Sequence, residues 1–311
     1  MSQPDFEPLA DESLGTFEQI SQKAEQEIQK RGAATTDSFA AGNTLTGGRA
    51  FQNLESAQKS IRENLQELQR RPAVARVVVE DESGHTRIIY ISRNGSLTLP
   101  GDAVLADYDT PIGRLAASPV GEEQVIPLPD GKKAFYVIEK TDFHVQRDES
   151  GWESVQNEYR HEKLGAYSIK SLRAQLLSEG DELDKLLEQE TSASGVSRGI
   201  AHQTRTAMGL RDQPILDQFQ DAIFRLPMDS QLIILGPPGT GKTTTLIKRL
   251  GQKLNVEHLD DDERRLTGTG VGELAHEVSW LMFTPSDLLK HYLKEAFSRE
   301  RVPATNENIK T

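Results

Sequence analysis

The chain contains no cysteine, which excludes disulfides and thiolate metal sites. It is short of positive charge: 36 Lys and Arg stand against 48 Asp and Glu, a formal net charge of −12. That balance argues against a general polyanion binder, while leaving room for a local basic groove. Apolar residues make up only 36% of the 311 residues, and the mean hydropathy is −0.55. No run approaches the ~18 continuous apolar residues of a membrane span. The N-terminal MSQPDFEPLADESLG has neither a basic n-region nor an apolar h-region, so it does not read as a signal peptide. Together with the missing cysteines, this gives a cytoplasmic expectation. The seven histidines are scattered, and no His/Asp/Glu cluster has metal-ligand spacing. There is no internal repeat, and the length fits two or three domains.

What is present falls into segments. Leu14, Phe17, Ile20, Ala24 and Ile28 form one stripe at helical spacing, and Phe51, Leu54, Ala57, Ile61, Leu65 and Leu68 form another. Between them, residues 31–49 have loop composition, with Gly32, Gly42, Gly47 and Gly48. The pattern predicts an antiparallel helical hairpin over 1–73, each arm ~30 Å long, closed by Pro72. ARVVVED (75–81) and TRIIYIS (86–92) then read as a strand pair. EEQVIPL (122–128) and KAFYVIEK (133–140) read as two more strands around Pro129, Asp130 and Gly131. TPIGRLAA (110–117) reads as a short helix. A small, mainly β domain is expected over 74–147.

Residues 148–213 read as a helical linker: KLGAYSIKSLRAQLLS and DELDKLLEQE as helices, TSASGVSRG (191–199) as a flexible break. From about Pro214, LDQFQDAIFRL predicts a helix and QLIIL (231–235) a strand. A helix to about Leu254 follows, then a charged insertion, HLDDDERRLTGTG. SWLMFT (279–284) reads as a second buried strand, PSDLLKHYLKEAF as a helix and RVPATNENIKT as an unstructured tail. The expected class is α+β overall, ending in a truncated α/β P-loop domain over 214–311.

Gly236, Pro237, Pro238, Gly239, Thr240, Gly241, Lys242 and Thr243 satisfy G-x-x-x-x-G-K-[ST] between a predicted strand and a predicted helix. Glycines let such a loop curl so that its N–H groups face phosphate oxygens, and the following helix points its positive end at them. Lys242, the catalytic candidate, is expected to reach the β- and γ-phosphates, Thr243 to ligate Mg2+, and Thr244 to donate to the α-phosphate. The implied cofactors are ATP and Mg2+.

Two neighbours of the loop narrow the reading. Gln220 lies 16 residues before Gly236, and the SWLMFT strand ends in Thr284, Pro285 and Ser286. This arrangement, over roughly 214–300, resembles superfamily 1 helicases of the UvrD/Rep type, the HelD-like branch especially. The resemblance implies a RecA-like domain, with Gln220 as adenine reader and Thr284 and Ser286 as contacts to single-stranded nucleic acid. The plainer readings stay open: Gln220 as an exposed helix glutamine, and Ser286 as the cap of the next helix. The acidic magnesium motif, the arginine fingers and the second motor domain of that family have no counterpart here. The chain is therefore expected to be the N-terminal part of a longer motor or to need a partner chain. It is expected to bind nucleotide without efficient turnover, with residues 214–311 marginal on their own because a sheet edge is left open.

In the front half, Thr110, Pro111, Ile112, Gly113 and Arg114 precede Val120, Gly121 and Glu122, then Pro129, Asp130 and Gly131. This ordered set resembles the C-terminal domain of Gre-type transcript-cleavage factors. In that family a helical hairpin precedes the domain and enters the secondary channel of RNA polymerase. The resemblance implies RNA polymerase as partner. The acidic hairpin, with Glu12, Glu18, Glu25, Glu27, Glu55, Glu63 and Glu67, suits a basic protein channel better than DNA. The tip segment carries one carboxylate, Asp37, where Gre factors pair acidic residues to hold magnesium, so transcript cleavage is not expected. The hairpin read alone is equally a spacer or a dimerisation element. Two other functions stay open: an AAA+-type P-loop ATPase, and a non-enzymatic polymerase-binding regulator whose last domain a nucleotide merely orders.

Overall fold

The computed structural model describes residues 4–41, 59, 61–95, 97–101, 103–128, 131–176, 196–198, 215–255, 258–268, 279–300, 302 and 304–311. Contacts divide the chain into two compact units, Met1–Ile215 and Leu216–Thr311.

The first unit sets helices against a sheet. Helix α1 (Glu7–Ala41) buries Leu9, Ser13, Phe17, Ile20 and Ala24, the three-and-four spacing that places side chains on one helix face. It runs on to Ala41, through the first part of the segment read as loop. Helix α2 (61–70) stops just before Pro72, a residue that cannot continue a helical ladder. The Ser21 hydroxyl donates to the Gln69 carbonyl at 3.1 Å, and Leu65 and Leu68 join Phe17, Ile20 and Ala24 in one core. The rest of the predicted second arm lies outside the described residues.

The sheet is built from β1 (Ala75–Asp81), β2 (Thr86–Ser92), β3 (Val104–Asp107), β4 (Glu123–Leu128), β5 (Gly131–Asp142), β6 (Val145–Asp148), β7 (Gly151–His161), β8 (Gly165–Ser171) and β9 (Val196–Arg198). Its order is β3-β2-β1-β5-β7-β8-β9, with β4 on β5 and β6 on β7. All these pairings are antiparallel except β2 with β3. The predicted strands at 75–81, 86–92, 122–128 and 133–140 are present. The short helix is a 3-10 turn, η1 (Ile112–Ala116), packed against β1, β3 and β5.

The linker reading over 148–213 is corrected here. GAYSIKS forms β8 and WESVQNEYRH lies in β7; only Arg173–Leu176 (α3) is helical. The helical reading of KLGAYSIKSLRAQLLS yields to a hairpin, because β7 offers β8 a ready ladder and Gly165 turns at φ +90°. TSASGVSRG likewise contributes β9, while DELDKLLEQE lies outside the described residues.

Aromatic rings meet edge to face where α1 lies on the sheet: Phe17 with Phe143 at 5.1 Å between centroids, and Phe6 with Tyr159 at 4.9 Å. Two polar latches join them. Arg76, on β1, donates to both carboxylate oxygens of Glu12, at 3.2 and 2.7 Å, and also to Glu139. Trp152 donates its indole N–H to Glu18 at 2.7 Å, under Arg147. Glu12 and Glu18, two of the acids read as facing a partner, thus face their own sheet.

The second unit contains α4 (Gln218–Phe224), α5 (Lys242–Leu254), α6 (Asp261–Gly268), β10 (Met282–Phe283), α7 (Asp287–Arg299) and β11 (Ile309–Lys310). Its core gathers Ile247, Trp280, Leu293, Phe297, Val302 and Ile309, with Trp280 stacked on Phe297 at 5.0 Å.

Three expectations are corrected in this unit. QLIIL forms no strand: Ile233 and Leu235 are 85% and 88% exposed. An apolar run becomes a buried strand only where neighbouring strands and covering helices receive it, and none of the described residues pairs with this one. The tail read as unstructured supplies β11, parallel to β10, with Met282 opposite Ile309 and Phe283 opposite Lys310. Asn308 holds that tail by donating to the Trp280 carbonyl at 3.2 Å. The charged insertion contains α6, whose first turn is capped by Asp260 accepting from the Glu263 N–H at 2.8 Å. Buried Glu263 pairs with Lys253 at 2.6 Å and accepts from the Met228 N–H. No helix among the described residues is long and apolar enough to cross a membrane.

Candidate nucleotide site

The loop is shaped by its glycines. Gly239 and Gly241 sit at φ +78° and +79°, the left-handed region that side chains other than glycine rarely occupy. Gly241 is the N-cap of α5 and, lacking a side chain, caps nothing. The first-turn amides of α5 are therefore left without a side-chain acceptor, the arrangement that suits an anion. Thr240 closes the loop from within by donating to the Pro237 carbonyl at 2.9 Å. Lys242 folds back the same way, its ammonium 2.9 Å from the Gly236 carbonyl and 2.7 Å from that of Pro237. The cation is thus held in the mouth of the loop by neutral oxygens. Pro238 and Thr243 are exposed and Thr244 is half-buried. The next threonine, Thr245, is buried and donates to the Gly241 carbonyl at 3.0 Å.

Gln220 belongs to the same site. Asp217 caps α4 and accepts from the Phe219 and Gln220 N–H groups. The Gln220 side chain returns the bond by accepting from the Asp217 N–H at 3.3 Å, completing a capping box. Its other end donates to the Thr240 carbonyl at 3.0 Å. Gln220 is therefore neither free on the surface nor idle. Arg249, two turns into α5, donates to the carbonyls of Ile223, Leu226 and Pro227 at the far end of α4. Burial lowers the pKa of Arg249, while the carbonyls satisfy its guanidinium. Helix α4 is tied to the loop–helix unit at both ends.

Thr284 and Ser286 have structural roles. Thr284 is buried, its N–H bonded to the Lys310 carbonyl at 2.9 Å, and its hydroxyl has no partner among the described residues. Ser286 is the N-cap of α7, accepting from the Leu289 N–H at 3.3 Å. Among the described residues no group of three His, Cys, Asp or Glu side chains could hold a metal ion. Magnesium at Thr243 would draw its other oxygens from phosphates and water. Sequence reasoning missed Arg249, and no motif marks it. The capping half of the Gln220 role was legible in Asp217-Gln218-Phe219-Gln220 as the spacing of a capping box.

No family model matches the chain, and no curated protein does. Among solved structures, similarity is found to Gfh1 of Thermus aquaticus, with a TM-score of 0.20 and 13% identity over 40% of this chain and 90% of that one. It is found also to the GreA factor homolog 1, Gfh1, of Thermus thermophilus, with a TM-score of 0.19 and 14% identity over 39% of this chain and 89% of that one. A further structure of the transcription factor Gfh1 gives a TM-score of 0.18 and 15% identity over 43% and 92% of the two chains.

Proposed function

We propose that the second unit binds ATP with Mg2+ at residues 236–244, and that the chain belongs to a superfamily 1 helicase or translocase that works on RNA polymerase. The observation that carries the nucleotide reading is the loop itself: two left-handed glycines, an uncapped helix start and a lysine held in the loop mouth by its own carbonyls. A triphosphate would replace those carbonyls as the partner of Lys242, exchanging neutral oxygens for anionic ones and adding a direct attraction between opposite charges. The Thr243 hydroxyl, exposed beside Lys242, is placed in sequence to join the magnesium shell.

RNA polymerase as partner is supported by the residues of the front half. Helix α1, the first arm of the expected hairpin, is fastened to the β sheet through Glu12 and Glu18. In this reading the first unit docks on the polymerase and the nucleotide unit acts on the complex or on single-stranded nucleic acid.

The test is titration of the full chain with a fluorescent ATP analogue and Mg2+ beside Lys242→Ala, with phosphate release measured in the same tubes. Loss of the lysine should weaken binding by roughly tenfold or more, the worth of a charge-assisted hydrogen bond. Binding that ignores Lys242→Ala sinks the nucleotide reading.

A further inference from the structure

We propose that Gln220 is a positioning residue for the phosphate loop, gripping its backbone, rather than the reader of the nucleotide base. The inference rests on the nucleotide reading above and changes which part of the ligand Gln220 serves.

Both ends of the Gln220 amide are in use. The oxygen accepts from the Asp217 N–H and so belongs to the α4 cap. The nitrogen donates to the Thr240 carbonyl, the peptide immediately before Gly241. That approach depends on Gly241 having no side chain, since a Cβ there would lie 2.4 Å from the Gln220 nitrogen. The left-handed φ of Gly241 and the approach of Gln220 therefore make separate demands for glycine at one position. Holding the Thr240 carbonyl fixes the plane of the Thr240–Gly241 peptide, and so the direction of the Gly241 N–H, which belongs to the set that faces phosphate in loops of this sequence. Arg249 fixes the other end of α4 on α5, so the glutamine is held from a braced support. To read a base, the amide would have to release the loop it holds.

The two roles predict different ligand dependence. A base reader affects only nucleotides carrying the base it reads. A residue that shapes the phosphate cradle affects every ligand that enters it, with or without a base. Gln220→Met keeps the length and the helix preference of the residue but removes both the donor to Thr240 and the acceptor of the α4 cap. Asp217→Ala, which breaks the same cap and leaves the amide donor in place, is the control. The full chain and both variants are titrated calorimetrically, in Mg2+, with ATP, GTP and inorganic triphosphate, and thermal unfolding is recorded on the same samples. The expected result is that Gln220→Met weakens all three by a similar factor, about tenfold for one lost hydrogen bond, while Asp217→Ala, which loses the same cap, binds all three like the unaltered chain. A loss confined to ATP overturns the proposal and makes Gln220 a base reader. No loss with any ligand, or an equal loss in Asp217→Ala, also overturns it. If the unaltered chain binds none of the three in a Lys242-dependent way, the nucleotide site itself is gone and the positioning role with it.

Discussion

At Gly113 the fold leaves no room for a single added carbon. A Cβ there would lie 2.3 Å from the Tyr108 carbonyl oxygen and 2.4 Å from that of Asp107, and neither is the end of a flexible side chain. The turn is wound tightly because Thr110 donates its hydroxyl to the Asp107 carbonyl at 2.6 Å and accepts from the Gly113 N–H at 3.3 Å. Asp107 in turn accepts from the N–H groups of Asp109 and Gly95. The hydroxyl is what this turn needs, and threonine supplies it. Gly113→Ala should destabilise the first unit by roughly 1–3 kcal/mol through overpacking, whereas Thr110→Ser should stay within about 0.5 kcal/mol. Urea unfolding followed by tryptophan fluorescence measures both. A Gly113→Ala midpoint equal to that of the unaltered chain would show that the turn can open.

At the scale of elements, what the sequence made legible was what local spacing encodes. The α1 stripe, the β1–β2 and β4–β5 hairpins and the phosphate loop each carry their signal within a few residues. What stayed hidden depends on distant partners. GAYSIKS became a strand because β7 lay ready to pair with it, and QLIIL did not because none of the described residues does. The β10–β11 pair joins Met282 to Ile309 across a long excursion of chain. The grip of Gln220 on Thr240 is of the same kind.

The α1 latch is another such contact, and it has a pH signature. Tyr90 is fully buried and donates to Glu12 at 3.0 Å; burial and the Glu12 charge push its phenol up to about 12. In the unfolded chain the phenol titrates near 10. The neutral phenol therefore stabilises the fold below pH 10, and that stability is lost as pH rises toward 12, by at most ~3 kcal/mol. Burial and Glu139 raise Tyr159 in the same sense. Lys140 works in the opposite one: burial lowers its pKa, so its cost is relieved as pH climbs. The informative quantity is thus the difference between the chain and Tyr90→Phe, followed by urea unfolding from pH 8 to 11. The variant should be the less stable at pH 8, and the gap should narrow as pH passes 10 toward 11. A gap independent of pH would mean that neither burial nor Glu12 raises the Tyr90 phenol in the fold.

For the whole molecule, the two units differ in how much they bury. The first encloses Phe17, Tyr90, Phe143, Trp152 and Tyr159 between α1 and a nine-stranded sheet. The second rests on a smaller cluster around Trp280 and Phe297 and leaves Phe219, Ile233, Leu235, Phe283 and Leu288 more than 70% exposed. Stability follows apolar area removed from water, so the second unit should open first. Hydrogen exchange of the full chain is expected to reach α5 and α7 before β1 and β5. A ligand held by the second unit alone stabilises that unit by mass action, ~2.7 kcal/mol at a hundred times its dissociation constant. Mg-ATP at that excess should then slow exchange in α5, α7 and β10 and leave the β1–β5 ladder unchanged, and Lys242→Ala should abolish the effect. Protection that spread equally over both units would mean either that they unfold as one or that the nucleotide binds elsewhere. The same run under Lys242→Ala separates the two: protection that persists places the ligand outside the loop, and protection that vanishes from both units makes the chain a single cooperative fold.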